Sequence, residues 1–134
     1  MTIKQLDHVN LRTADVAGMV AFYRDLLGFE AGPRPPFKFG GAWLYCGGQA
    51  AVHLVEVAET PKPGQPQDRL RLEHFAFQAE GLAELTGRLR AAGVEHDVRV
   101  VPGIAVRQVH LCDPDGNHLH IDFAPDEPLD EPAA

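Results

Sequence analysis

Residues 6–11 read LDHVNL, and residues 72–77 read LEHFAF. Both stretches run leucine, an acid, histidine, two residues and another apolar side chain. A shift of 66 lays Leu6, His8 and Leu11 on Leu72, His74 and Phe77, and the same shift lays Cys46 on Cys112. Similarity at a fixed offset marks a duplicated supersecondary unit.

The order of elements around the two stretches repeats as well. LDHVNLR alternates like a strand, and DVAGMVAFYRDLLG (15–28) places Val16, Met19, Val20, Tyr23, Leu26 and Leu27 at helical spacing. Gly28 stops that helix in the left-handed conformation that glycine adopts cheaply. In the second copy Leu82, Leu85, Leu89 and Ala92 mark the helix and Gly93 ends it, here at a shift of 65. Short β-like runs follow each helix: AWLYC and AVHLVEV around a Gly-rich turn in the first copy, VRQVHLC and HLHIDF around Asp-Pro-Asp-Gly-Asn in the second. Each unit therefore reads β-α-β-β-β. The expected fold is α+β, two tandem βαβββ modules forming a curved mixed sheet around a cavity, with the helices on its outer face. Module 1 covers about residues 3–57 and module 2 about 71–124. Between them, about 58–70, three prolines at 61, 63 and 66 mark a solvated linker. The Pro-rich acidic ending, 125–134, is expected to be disordered.

Bulk properties narrow the function classes. A chain of 134 residues that is 45% hydrophobic can build its own core. Its net charge of -7 owes much to Asp126, Glu127, Asp130 and Glu131 in the tail. No basic stripe with interleaved aromatics is present, so nucleic acid is not expected as a partner. No apolar run approaches the roughly 18 residues a membrane span needs, so no membrane association is expected. Two cysteines make no disulfide framework, and the N-terminus lacks a basic start and apolar run, so a reducing cytoplasm is the expected location.

The histidines carry the chemistry. The Asp-Pro-Asp-Gly-Asn turn is one residue longer than its counterpart, so the last strands compare at a shift of 67, which carries His53 onto His120. That pairing is nearly independent of the register and has a chance of about one in twenty at this histidine content. Alternation then turns His8, His74 and His120 away from the faces formed by Val9 and Leu11, by Phe75 and Phe77, and by Leu119, Ile121 and Phe123. For His53 the alternation is mixed, since Val55 and Val57 share its face, and the repeat assigns it. Four imidazoles at related positions, His8, His53, His74 and His120, form a candidate site for one divalent transition metal: Zn, Ni, Fe, Co or Mn rather than hard Mg²⁺ or Ca²⁺. His96 follows a helix stop and is expected to be exposed.

DHVNLRTADVAGMVAFYRDLLGF, LEHFAF and LCDPDGN with its following strand resemble the vicinal oxygen chelate superfamily: glyoxalase, bleomycin-resistance and extradiol-dioxygenase proteins. The resemblance runs from about Ile3 to Phe123. It implies metal ligands from the first and last strands of both modules, which land on His8, His53, His74 and His120. It also implies a homodimer, with modules paired within one chain or swapped between two. One departure matters. Three residues beyond Asn117, metal-binding members usually carry glutamate, and this chain carries His120; at 53 they often carry Glu or Gln, and this chain carries His53.

Neutral histidine in place of glutamate leaves the full dication to polarise a bound oxygen, and the base must then come from elsewhere. A five-residue turn would set Cys112 opposite His118 and His110 opposite His120. This makes His110 either the general base or a residue that fixes His120. Around the site, GPRPPFKFGGAW offers Arg34 and Lys38 to an anionic group and Phe37 and Trp43 to an apolar one, with Arg107 as a further cation. The expected function is a metal-dependent enzyme acting on a small substrate that chelates the ion through vicinal oxygens, with lyase or isomerase chemistry ahead of a ring-cleaving dioxygenase. The competing reading is a metal-free small-molecule binding protein of the bleomycin-resistance kind.

Overall fold

The structure is a computed structural model that describes residues 1, 5–61 and 74–134. The repeat partner Leu72 and most of the linker lie outside the described residues. The chain divides into two compact units, Met1–Lys62 and Pro63–Ala134.

The first unit runs β1 (Val9–Thr13), α1 (Val16–Asp25), β2 (Glu30–Gly32), β3 (Gly41–Cys46) and β4 (Gln49–Glu56). The second runs β5 (Phe75–Gln78), α2 (Leu82–Ala92), β6 (His96–Val100), β7 (Arg107–Cys112) and β8 (His118–Phe123). The two sheets have matching orders, β1-β4-β3-β2 and β5-β8-β7-β6. In each, the first strand pairs in parallel with the last, and the remaining pairs are antiparallel. The duplicated β-α-β-β-β reading holds, as two four-stranded mixed sheets. Among the described residues no helix is long and apolar enough to cross a membrane.

Local chemistry explains the elements. The Asp15 side chain accepts from the Gly18 amide and caps α1, which buries Met19, Phe22 and Tyr23 and packs against β2, β3 and β4. Gly28 takes φ +76 after α1, and Gly93 takes φ +67 as the cap of α2. Helix α2 buries Leu82, Leu85, Thr86 and Leu89. In the second sheet Phe75, Val98, Val109, Leu111, Leu119, Ile121 and Phe123 form the buried side, and the residues between them carry the histidines.

Two expectations are corrected. The 125–134 ending is docked, because its carboxylates find donors. Glu127 accepts from the Gly81 and Leu82 amides (2.9 and 3.2 Å) at the start of α2, where Gly81 has no side chain to cap with. Asp130 accepts from Thr86 Oγ1 and pairs with Arg90, Glu131 also pairs with Arg90, and the Ala134 amide donates to Val98 (2.7 Å). His96 is not exposed. Its side chain keeps 8% of its exposure at the head of β6, between the Val94 carbonyl (2.9 Å) and Glu131 (3.0 Å).

Candidate metal and substrate site

In the first unit the parallel register sets Asn10 beside His53, and the antiparallel register sets Trp43 opposite it. The three rings on that face form a stack. His8 lies 3.9 Å from His53 with 13° between planes, and His53 lies 4.0 Å from Trp43 with 9°. His53 therefore shares the face of His8, as the repeat assigned it and as alternation alone did not. Gly41 makes this pairing possible: a Cβ there would meet the Leu54 carbonyl oxygen at 2.1 Å. Asp7 holds His8 through Nδ1 (2.6 Å), and the Gln49 amide reaches back to the Asp7 carbonyl. Burial first, and then the neighbouring His8, lowers the pKa of His53, which favours the neutral ring that a metal requires.

The stack continues into the candidate substrate residues. Phe37 sits 6.4 Å from Trp43 and stacks on Phe39 at 4.9 Å. The Arg34 guanidinium lies over both phenyl rings, 5.2 and 5.5 Å from their centroids, and donates from Nη2 to the Phe39 carbonyl (3.2 Å). Its Nε is buried without a hydrogen-bond partner among the described residues. Lys38 is exposed. Arg107, in the second unit, is committed to the Ala105 and Glu127 carbonyls.

In the second unit β7 and β8 pair as the turn length predicted, His110 opposite His120 and Cys112 opposite His118. His74 comes within 4.5 Å of His120, ring to ring, and within 5.5 Å of His118. His120, only 6% exposed, is bound through Nδ1 to Asp122 Oδ1 at 2.5 Å. Gln108 donates to the same oxygen (3.2 Å) and meets His110 Nε2 at 3.0 Å, while His110 Nδ1 meets His118 Nε2 at 3.1 Å. Burial, then Arg99, His120 and His118, depress the His110 pKa to about 4. Its two nitrogens are both engaged, Nε2 with Gln108 and Nδ1 with His118. Burial also raises the thiol pKa of Cys46 and Cys112, so both stay protonated and are poor nucleophiles or ligands.

Among the described residues no three His, Cys, Asp or Glu side chains are grouped to hold a metal ion. Within each unit the candidates form a pair, His8 with His53 in the first and His74 with His120 in the second. Their donor chemistry fits a first-row transition ion. The imidazoles are neighbours, and two of them, His8 and His120, have Nδ1 tied to a carboxylate, which leaves Nε2 as the donor in the usual second-layer arrangement of metal-binding histidines. Sequence reading missed Asp7, Asp122 and Gln108 as their supports. For Asp7 and Asp122 a signal was present, an acid adjacent to His8 and one two residues beyond His120 on the same strand face.

A sequence model of the Glyoxalase/Bleomycin resistance protein/Dioxygenase superfamily matches residues 5–121. The chain belongs to this superfamily. It is 27% identical over 123 residues to the uncharacterized protein YaeR of Escherichia coli (strain K12), covering 89% of this chain and 95% of that one. It is 30% identical over 105 residues to a manganese-dependent 2,3-dihydroxybiphenyl 1,2-dioxygenase of Geobacillus genomosp. 3, covering 75% of this chain but only 30% of that enzyme. Among solved structures, a glyoxalase family protein from Enterococcus faecalis superposes with a TM-score of 0.71 at 26% identity, covering 91% of this chain and 99% of that one. A lactoylglutathione lyase from Agrobacterium tumefaciens shares the fold, with a TM-score of 0.68 at 23% identity over 93% and 97% of the chains.

Proposed function

We propose that this superfamily member is a divalent-metal-dependent enzyme acting on a small substrate that chelates the ion through adjacent oxygens, with His8, His53, His74 and His120 as the metal-binding residues. The observation that carries the reading is the pairing of histidines at duplicated positions, His8 on His53 and His74 beside His120. A bound transition ion would supply Lewis acidity, drawing electrons from the coordinated oxygens so that an adjacent C–H or C–O bond weakens. The all-imidazole set adds no negative charge to temper that pull, which favours lyase or isomerase chemistry. Trp43 and Phe37 give the substrate a flat apolar wall, and Arg34, whose Nε lacks a partner among the described residues, gives an anionic substituent a place to bind.

The 30% identity to a dioxygenase supports a second reading, oxidative ring cleavage. Elemental analysis of protein purified without a histidine tag, followed by uptake of Zn²⁺, Co²⁺, Ni²⁺, Fe²⁺ and Mn²⁺, tests the shared claim. We expect one ion per chain, lost in His53→Ala and His120→Ala. No bound metal and no uptake would overturn it in favour of metal-free sequestration. Oxygen consumption with an aromatic diol would favour the second reading over the first.

A further inference from the structure

We propose that Asp122, Gln108 and His110 are positioning residues that lock His120 in the tautomer with its proton on Nδ1, so that Nε2 is the nitrogen kept bare for a metal. The inference rests on the reading of His120 as a ligand and deepens it.

The directions of the bonds follow from what each group can do. The Asp122 carboxylate only accepts, so at 2.5 Å His120 Nδ1 must donate to it. Gln108 reaches the same oxygen at 3.2 Å, and only its amide nitrogen can donate there. That orientation turns the Gln108 carbonyl oxygen toward His110 Nε2, 3.0 Å away, which must therefore carry a proton. The 3.5 Å approach of Gln108 Nε2 to His120 Nδ1 brings two donors together around their shared acceptor, and so is not a bond between them. With its proton on Nε2, His110 is left with a bare Nδ1, which accepts from His118 Nε2 at 3.1 Å.

Every donor in the chain His118, His110, Gln108 thus points toward Asp122, and His120 points to it from the other side. Reversing any one member sets two donors or two acceptors face to face in a half-buried site, where an unmade bond is costly. The lock is held from both ends. His110, the sequence's candidate general base, holds the amide that holds the carboxylate. The cross-strand registers Gln108 with Asp122 and His110 with His120 set these distances.

The test is long-range ¹⁵N–¹H NMR of the imidazoles in the metal-free protein, together with titration of Co²⁺ alone. His120 is expected as the Nδ1–H form and His110 as the Nε2–H form, two facing rings in opposite tautomers. Asp122→Ala should move His120 to a mixture and weaken Co²⁺ binding by about 10- to 100-fold. Asp122→Asn, whose amide oxygen can still accept, should restore most of both and show that the loss is not misfolding. Gln108→Leu should release His110 and, with the Asp122 carboxylate less firmly held, move His120 part of the way toward the mixture; a His120 unchanged in that variant would overturn the part given to Gln108 and His110. An Nε2–H His120 in the wild type, or an unchanged tautomer and affinity in Asp122→Ala, would overturn the lock. A wild type with the expected tautomers that takes up no Co²⁺ would instead overturn the ligand assignment, and with it the purpose given to the lock.

Discussion

Trp43 and His110 hold the same place in the two repeats. Trp43 is the cross-strand partner of His53 in the first sheet, and His110 is that of His120 in the second. The duplication kept the candidate ligand and changed its neighbour. On the Trp43 side the His53 ring is clamped between two flat rings, with burial and stacking setting its plane. On the His110 side the His120 ring is fixed by hydrogen bonds. One repeat thus surrounds its histidine with flat rings and the other with hydrogen-bonding groups.

Trp43 is the chain's one tryptophan, and its ring lies 4.0 Å from that of His53. Open-shell Co²⁺ or Ni²⁺ bound at His53 should therefore quench its fluorescence, whereas closed-shell Zn²⁺ should leave most of the emission. In His53→Ala the Co²⁺ quench should vanish. Full emission in a sample that titration shows to have taken up Co²⁺ would place the ion away from His53. Trp43→Ala should lower stability by about 2 kcal/mol in urea denaturation, through lost stacking and burial.

Glu127 stands in for the side-chain cap that Gly81 cannot provide, accepting two amides at the positive end of α2. Glu127→Ala should cost about 1–2 kcal/mol in urea unfolding, and Glu127→Gln, which keeps an acceptor and loses the charge, clearly less. Removal of residues 125–134 should cost more than either, since the contacts of Asp130 and Glu131 with Arg90, Thr86 and His96 go too. Equal unfolding midpoints for full-length and shortened chains would show that the tail contributes nothing.

The repeat was legible because it is written in local terms: apolar periodicity, glycine stops and one turn motif. Even the facing of His110 and His120 followed from turn length. What escaped depends on partners distant in sequence. Among the described residues the three-residue β2 pairs with β3 alone, and it is too short to show alternation. His96 looked exposed because Glu131, its partner, comes from a tail whose proline and acid content suggested disorder. His53 shares its face with two valines, so its direction needed the repeat and then the stack. Gln108 carries no motif at all. Its role exists only because the β7–β8 register sets it beside Asp122.

Asp113 is the residue on which that register depends. Buried to 4% exposure, its carboxylate accepts from the Asp115 amide (3.0 Å), the Asn117 amide (2.9 Å) and Asn117 Nδ2 (2.8 Å), and Gly116 closes the turn at φ +85. Asp113→Ala leaves these donors unpaired and should cost about 2–3 kcal/mol. Because the turn aligns His110 with His120, the variant's imidazole NMR shifts should change even where it remains folded. Unaltered shifts would show that the strands hold their own register.

Stability of the metal-free protein should fall as the pH drops from 6.5 toward 4. His110 has a folded pKa of about 4 against an ordinary value of 6.5, and His53 is shifted in the same direction, in both cases first by burial. Between the two values the unfolded chain binds protons that the folded chain refuses, so acid favours unfolding. The contribution is complete above pH 6.5 and is lost progressively on the way down. Asp130, whose carboxyl is held below its usual range by Arg90, adds a loss of the same sign in a separate window beneath pH 3.8. Urea midpoints measured at pH 7.5 and 5.0 should therefore separate in the wild type. They should draw together in His110→Asn, which removes the most depressed imidazole. A gap of the same size in that variant would mean that His110 titrates alike in both states, and that the acid sensitivity comes from elsewhere.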